Sequence, residues 1–284
     1  RIIHNIDRSM SEMMLGLESF IPMYMTGQIE PYYFKTPQNG VFLHFMRSAG
    51  TVALTGEAVA GHHSEGRYDL TKVKSEVAYC RRRAEAMLEN ASPLMDIYRE
   101  DGTARLNAFL LADSRTPGRR RHILYTPPLC TMEPDYLAAL LEKQGLPAED
   151  RQRICAYART RREQLETILL TDTVHQELPR LTEHAFAQFP PSLPLSGLFY
   201  GRDVPYTYEA YLAHLAQTEA FAAGHPRYEL EFTGGGAFRN LQICIHEGQW
   251  AMVSKERSPA IHFVIRHPKL RAAIERFVPP VVEE

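Results

Sequence analysis

The stretch "NLQICIHEGQWAMVSKERSPAIHFVIRHPKLRAAIERF", Asn240 to Phe277, constrains the fold more than any other segment of the chain. Leu241, Ile243 and Ile245 alternate with Gln242, Cys244 and His246, the pattern of a strand with one buried face. Glu247–Gly248 then supplies a tight hairpin turn, because glycine accepts positive φ without steric cost. The run "QWAMVS" reads as the second strand, and "KERSP" leads to a third in which Ile261, Phe263 and Ile265 share one face and His262, Val264 and Arg266 the other. Pro268 sets φ for a helix start, and Leu270, Ile274 and Phe277 form the i, i+4, i+7 stripe of a docked helix. A meander closed by a helix implies an α+β class, with antiparallel or mixed sheets flanked by helices. The preceding "TGGGAF" reads either as a turn or as a nest of N–H groups for an anion.

Upstream, residues 6–25 place Met10, Met13, Met14, Leu17 and Ile21 at helical spacing, a core or interface stripe. Asp7 or Ser9 caps this helix, and Pro22 with Gly27 ends it. "GVFLHFM" and "TVALTG" make a strand pair about "RSAG"; His62 and His63 follow in a polar loop without ligand partners for a metal. A helix over 69–89 carries Leu70, Val73, Val77, Cys80, Ala84 and Met87 on one face. "RLNAFLLADS" and "HILYTPPL" read as two strands about a basic turn holding Arg119, Arg120 and Arg121. Helices follow near 133–145, 148–170, 172–188 and 208–222. Proline clusters at 126–128 and 190–194 divide the chain into an α+β region 1–127, a helical segment 128–192 and a meander-plus-helix region 193–284, unless the three form one continuous domain.

Bulk properties narrow the function classes. A net charge of −2 gives no global basic field for nucleic acid. Four dispersed cysteines without a CxxC pair argue against zinc and against a disulfide framework, so reduced thiols and a cytoplasmic location are expected. No apolar run reaches the ~18 residues of a membrane span, and no export signal is evident. The start at Arg1 falls in mid-pattern, which leads us to expect a preceding segment.

Strand, acidic-Gly turn, strand, polar loop, strand and then "HPKLRAAIERF" resembles one half of the phospholipase D-like fold. In active members the first strand carries His-x-Lys-x-x-x-x-Asp. Here the resemblance puts Asn240 at the histidine, Gln242 at the lysine and Glu247 at the aspartate, with Val253, Ser254, Lys255 and Glu256 at the following loop. The nucleophile and the phosphate-binding charge are both replaced, so the resemblance implies a site without phosphodiesterase activity.

The longer succession from "LSGLFYGRDVPYTYEAY" to Phe277 resembles the C-terminal sensor region of a group of Firmicutes-type helix-turn-helix transcriptional regulators. That resemblance implies a homodimer that senses a small-molecule effector, needs no cofactor, contacts no membrane, and touches DNA only through an upstream domain. The emptied site, Asn240, Gln242, Ser254, Glu256 and His262, then binds a polyol, sugar or amine.

GxSxG, GxGxxG, GxxxxGK[ST] and HExxH are absent. Tyr32, Tyr33, Tyr200, Tyr206 and Tyr208 either line a pocket or pack in the core. Two rivals stay open: a hydrolase using His262 with Glu256, and a dimerisation scaffold with no ligand.

Overall fold

The computed structural model describes residues 1–7, 9–36, 40–234 and 239–278, and the chain divides into two compact units, Arg1–Met95 and Asp96–Glu284. Both combine helices with sheet, so the class is α+β.

The first unit runs β1 (Ile2–His4), α1 (Met10–Met25), β2 (Pro31–Tyr33), β3 (Phe42–Ala49), β4 (Val52–Val59), β5 (Arg67–Thr71), α2 (Lys74–Glu89) and β6 (Ser92–Pro93). Ser9 and Glu12 close a capping box on α1, satisfying two N–H groups that the first turn leaves unbonded. Pro22 lies inside α1 rather than ending it; the helix runs on to Met25 and Gly27 follows at φ 74°. The side chains of Met10, Met13, Met14 and Leu17 lie outside the described set, and Ile21 is exposed. The expected helix over 69–89 begins only at Lys74. Asp69 to Thr71 pair with β4 instead, which leaves Leu70 and Val73 exposed while Val77 and Cys80 are buried. His62 and His63 sit on an exposed loop, and no metal-holding group occurs among the described residues.

The second unit comprises β7 (Asp96–Tyr98), α3 (Thr103–Asp113), β8 (Arg120–Ile123), α4 (Pro134–Lys143), α5 (Ala148–Leu169), β9 (Val174–Pro179), α6 (Glu183–Gln188), α7 (Tyr208–Gly224), β10 (Tyr228–Thr233), β11 (Leu241–His246), β12 (Trp250–Lys255), β13 (Ile261–Ile265) and α8 (Pro268–Glu275). Its seven-stranded sheet has the order β10-β9-β8-β11-β12-β13-β7; β10, β9 and β8 are parallel, and the remaining neighbours antiparallel. The meander and closing helix form as the alternation predicts, with Gly248 at φ 74° in the hairpin.

Two segments differ from expectation. "TARLNAFLLAD" is helix α3, burying Leu106 and Leu110 at i, i+4, whereas its short apolar run reads equally well as a strand. "VHQELP" is central strand β9 rather than part of a helix over 172–188, because pairing on both sides overrides the weak pattern of a polar run. Both faces of the sheet are covered, so the polar face of the meander is not solvated. Ile123, Ile243, Ile245 and Ala251 pack beneath Ile274 and Phe277 at the α8 side. The opposite face meets α3 through Trp250, Met252 and Val264, and the α4–α7 layer through Leu178 and Leu230. The proline clusters at 126–128 and 190–194 both fall within this second unit. No described helix is long and apolar enough to cross a membrane.

Candidate functional site

The face of the sheet toward α3 and α5 carries polar side chains in register. Gln242 lies across from Ser254, and Ser254 from His262. The next row holds His122, Cys244 and Met252, and the one beyond it Arg120, His246 and Trp250. Between this face and the two helices lies a cavity of about 120 Å³. Gln242, Cys244 and His262 line it from the sheet, Tyr157, Arg161 and Gln164 from α5, and Ser196 from the 193–206 segment.

Four of the five expected site residues gather around Ser196, and two of them, Gln242 and His262, line the cavity. His262 is 1% exposed. Its Nε2 donates to the Ser196 carbonyl at 3.1 Å, so Nδ1 accepts from the Ser254 hydroxyl at 2.7 Å. Burial pushes its pKa down to about 4, which keeps the ring neutral near pH 7. Gln242 Nε2 donates to Ser196 Oγ at 3.3 Å, and Ser196 Oγ donates to Glu256 Oε1. Glu256 Oε2 is buried without a hydrogen bond, and burial lifts the carboxyl pKa to about 7. Asn240 stands apart. It is exposed, and its backbone carbonyl accepts from Glu256 N–H at 2.9 Å, closing the β11–β12 ladder. The glycine-rich "TGGGAF" segment is outside the described residues over 235–238.

The hydrolase constellation is not assembled. Glu256 bonds Ser196 and not His262, while Ser254 is fully buried and does not line the cavity. A general base needs its partner, its orienting group and an accessible reacting atom in one chain of contacts.

The tyrosines expected as a lining take other places. Tyr200, Tyr206 and Tyr208 pack in the α4–α7 core, and Tyr32 and Tyr33 belong to β2 of the first unit. Tyr206 donates to His214 Nδ1 at 2.7 Å, and His214 Nε2 donates to the Pro128 carbonyl at 3.2 Å. That relay holds the 128–130 segment at the cavity wall.

The basic turn holds the largest surprise. Arg120 is 1% exposed, and its guanidinium bonds Asp113 Oδ2 and the carbonyls of Asp113, Thr116 and Gly118. Asp113 Oδ1 accepts from His246 Nδ1 and Trp250 Nε1, each at 2.7 Å. His246 Nε2 lies 3.0 Å from the Pro117 carbonyl, so both ring nitrogens face acceptors. Burial alone would raise the Asp113 pKa. The bonds from His246 and Trp250 and the charge of Arg120 outweigh it and hold the pKa below the ordinary value. Gly118 completes the cluster: at φ 140°, a Cβ there would sit 2.3 Å from His246 Nε2. Arg121 instead pairs with Glu177, and Arg119 is exposed beside Glu229 and Glu247.

Arg161 is the residue that sequence reasoning missed. On α5, Ile154, Ala158 and Leu165 are buried, and position 161 continues their 3–4 spacing. A charged residue on an apolar helical stripe is a readable sign, obscured here by Arg159 and Arg162 alongside. Compared with known protein families, curated proteins and solved structures, the chain matches none.

Proposed function

We propose that the second unit is the small-molecule-binding effector domain of a transcriptional regulator, with no catalysis of its own. The observation that carries the ligand-binding part is the cavity: an apolar chamber with a few convergent polar groups, the usual build of a small-molecule site. Gln242 and His262 in its wall, on either side of the buried Ser254, support a binding role over phosphodiester chemistry. A guanidinium in the lining disfavours an amine ligand, since two cations in low dielectric repel. The regulator part rests on the resemblance of the stretch from Leu195 to Phe277 and on the mechanics it implies. A ligand with different affinity for two arrangements of a homodimer shifts their populations, and DNA-reading domains carried on each protomer move between registers. Exposed Tyr68, Leu70, Val73 and Tyr79 give the first unit apolar surface of the kind that a second copy covers.

A thermal-shift screen of the whole chain against small acids, sugars, amines and nucleotides tests the reading. A true ligand at 100 times its Kd adds about 2.7 kcal/mol, which raises Tm by several degrees and returns the compound unchanged. Chemical conversion of the compound, or a flat Tm across the panel, overturns it.

A further inference from the structure

We propose that the cavity of the second unit takes a small organic monocarboxylate, its carboxylate seated on the Arg161 guanidinium and the Tyr157 hydroxyl. This rests on the ligand-binding reading above and narrows it to one chemical class.

The two residues are four apart on α5, so both project from one face of the helix into the cavity. Arg161 Nη1 donates to Gln164 Oε1 at 2.6 Å, and no carboxylate lies in ion-pair reach of Arg161 among the described residues. Asp113 is the lining's own carboxylate, and Arg120, His246 and Trp250 already occupy it. The other ionisable groups of the wall do not cancel the charge either. Burial holds His122 and His262 neutral near pH 7 and keeps the Cys130 and Cys244 thiols protonated. Arg161 is half-buried, and a guanidinium partly withdrawn from water gains from a counter-charge, so the cavity suits an anion.

Tyr157 adds a donor. Its hydroxyl lines the cavity with no hydrogen-bond partner among the described residues, and burial keeps it protonated, its pKa pushed up to about 12. Gly197 leaves it space: a Cβ there would stand 2.3 Å from the hydroxyl oxygen. A planar fork beside one O–H suits a carboxylate, which accepts through both oxygens. A dianionic phosphoryl group would carry a second charge that this wall does not match. Leu106, Leu110, Leu165 and Met252 line the rest of the chamber, favouring an apolar body. Its volume of about 120 Å³ limits that body to roughly the size of one small ring or a short chain, since a cavity of ~150 Å³ admits benzene.

The test is calorimetric titration of the full chain with benzoate and hexanoate, beside benzamide, benzylamine and inorganic phosphate. The acids bind and the others do not. Arg161→Gln weakens benzoate roughly 10- to 100-fold, in line with a hydrogen bond to a charged group; Arg161→Lys restores part of the loss, and Tyr157→Phe costs a few-fold. The near-ultraviolet signal of the single tryptophan, Trp250, reports whether each variant keeps the native packing. If benzamide binds as well as benzoate and Arg161→Gln leaves both unchanged, ligand binding stands and the anion seat is wrong. Binding of phosphate in preference to either acid overturns the monocarboxylate. If no acid binds while a neutral compound of the wider screen does, this inference falls alone; if nothing in either panel binds, both readings fall.

Discussion

Two polar clusters lie on the same face of the second unit's sheet, and they are built to opposite ends. Around Asp113 the donors and acceptors are matched: both carboxylate oxygens, the Arg120 fork, both His246 nitrogens and the Trp250 N–H all have partners. Around Arg161 and Glu256 the matching stops short. One guanidinium has only an amide partner, and one carboxyl oxygen has none. A closed polar network fixes one conformation, whereas an open one holds unsatisfied groups that a ligand can complete. The histidine–aspartate pair that looks most like catalytic machinery is therefore the fully partnered one, and the unsatisfied groups lie where the sequence shows no recognisable motif.

The largest effect should come from opening the closed cluster. Asp113→Ala leaves the buried Arg120 guanidinium with no counter-charge and takes from His246 and Trp250 the acceptor they share. Removing one partner of a buried pair costs about 3–5 kcal/mol, a large fraction of the 5–15 kcal/mol that holds a typical domain together. Urea unfolding followed by Trp250 fluorescence measures it. A loss below 1 kcal/mol would mean that solvent reaches this cluster and that the contrast drawn above is mistaken.

Glu256 offers a second, smaller test on the open side, and its sign is distinctive. Burial raises its pKa from 4.5 to about 7, so between those values the folded chain keeps a proton that the unfolded chain has released. Stability from this group is full below pH 4.5, falls as pH rises through the window, and levels off above 7; at 1.36 kcal/mol per pH unit the loss reaches about 3 kcal/mol. His122 and His262, with pKa values lowered to about 4, and His214, lowered to about 3, work the other way, losing stability as pH falls below 6.5. Glu256→Gln separates the contributions. It keeps an acceptor for Ser196, matches the parent near pH 4.5, and exceeds it by up to about 3 kcal/mol at pH 8. Parallel stability curves for variant and parent would show that Glu256 is ionised in the fold without penalty.

The legibility of these features in the sequence follows from how far each is governed by local pattern. β11 to β13 and α8 are readable because clean alternation and an i, i+4, i+7 stripe each have one interpretation. Placing Gln242, Ser254 and His262 side by side follows from hairpin register alone. β9 is not readable, because His175, Gln176 and Glu177 owe their strand geometry to β8 and β10, which lie far away along the chain. Nor is the role of Asp113 evident. Its partners Arg120, His246 and Trp250 come from three strands, and the segment holding it resembles a strand by composition. Arg161 lies between these cases: its stripe is local, but the cavity it lines is a tertiary product.

The smallest predicted effect sharpens the comparison at one peptide bond. Arg119 and Arg120 are consecutive, and β-strand geometry sends successive side chains to opposite faces. Arg120 turns into the closed cluster. The Arg119 side chain is 53% exposed and reaches Glu229 at 3.4 Å and Glu247 at 3.8 Å, where water screens both pairs. Exposed ion pairs contribute about 0–1 kcal/mol, and less at high salt. Arg119→Ala should therefore shift the urea midpoint barely at all, and raising ionic strength should erase what shift there is. Arg120→Ala, one residue on, should approach the Asp113→Ala loss and keep it in high salt, because the charge it strands on Asp113 is shielded from added ions. Equal losses at the two positions would place Arg119 in a buried network as well, and the basic turn would then act as one unit instead of two faces.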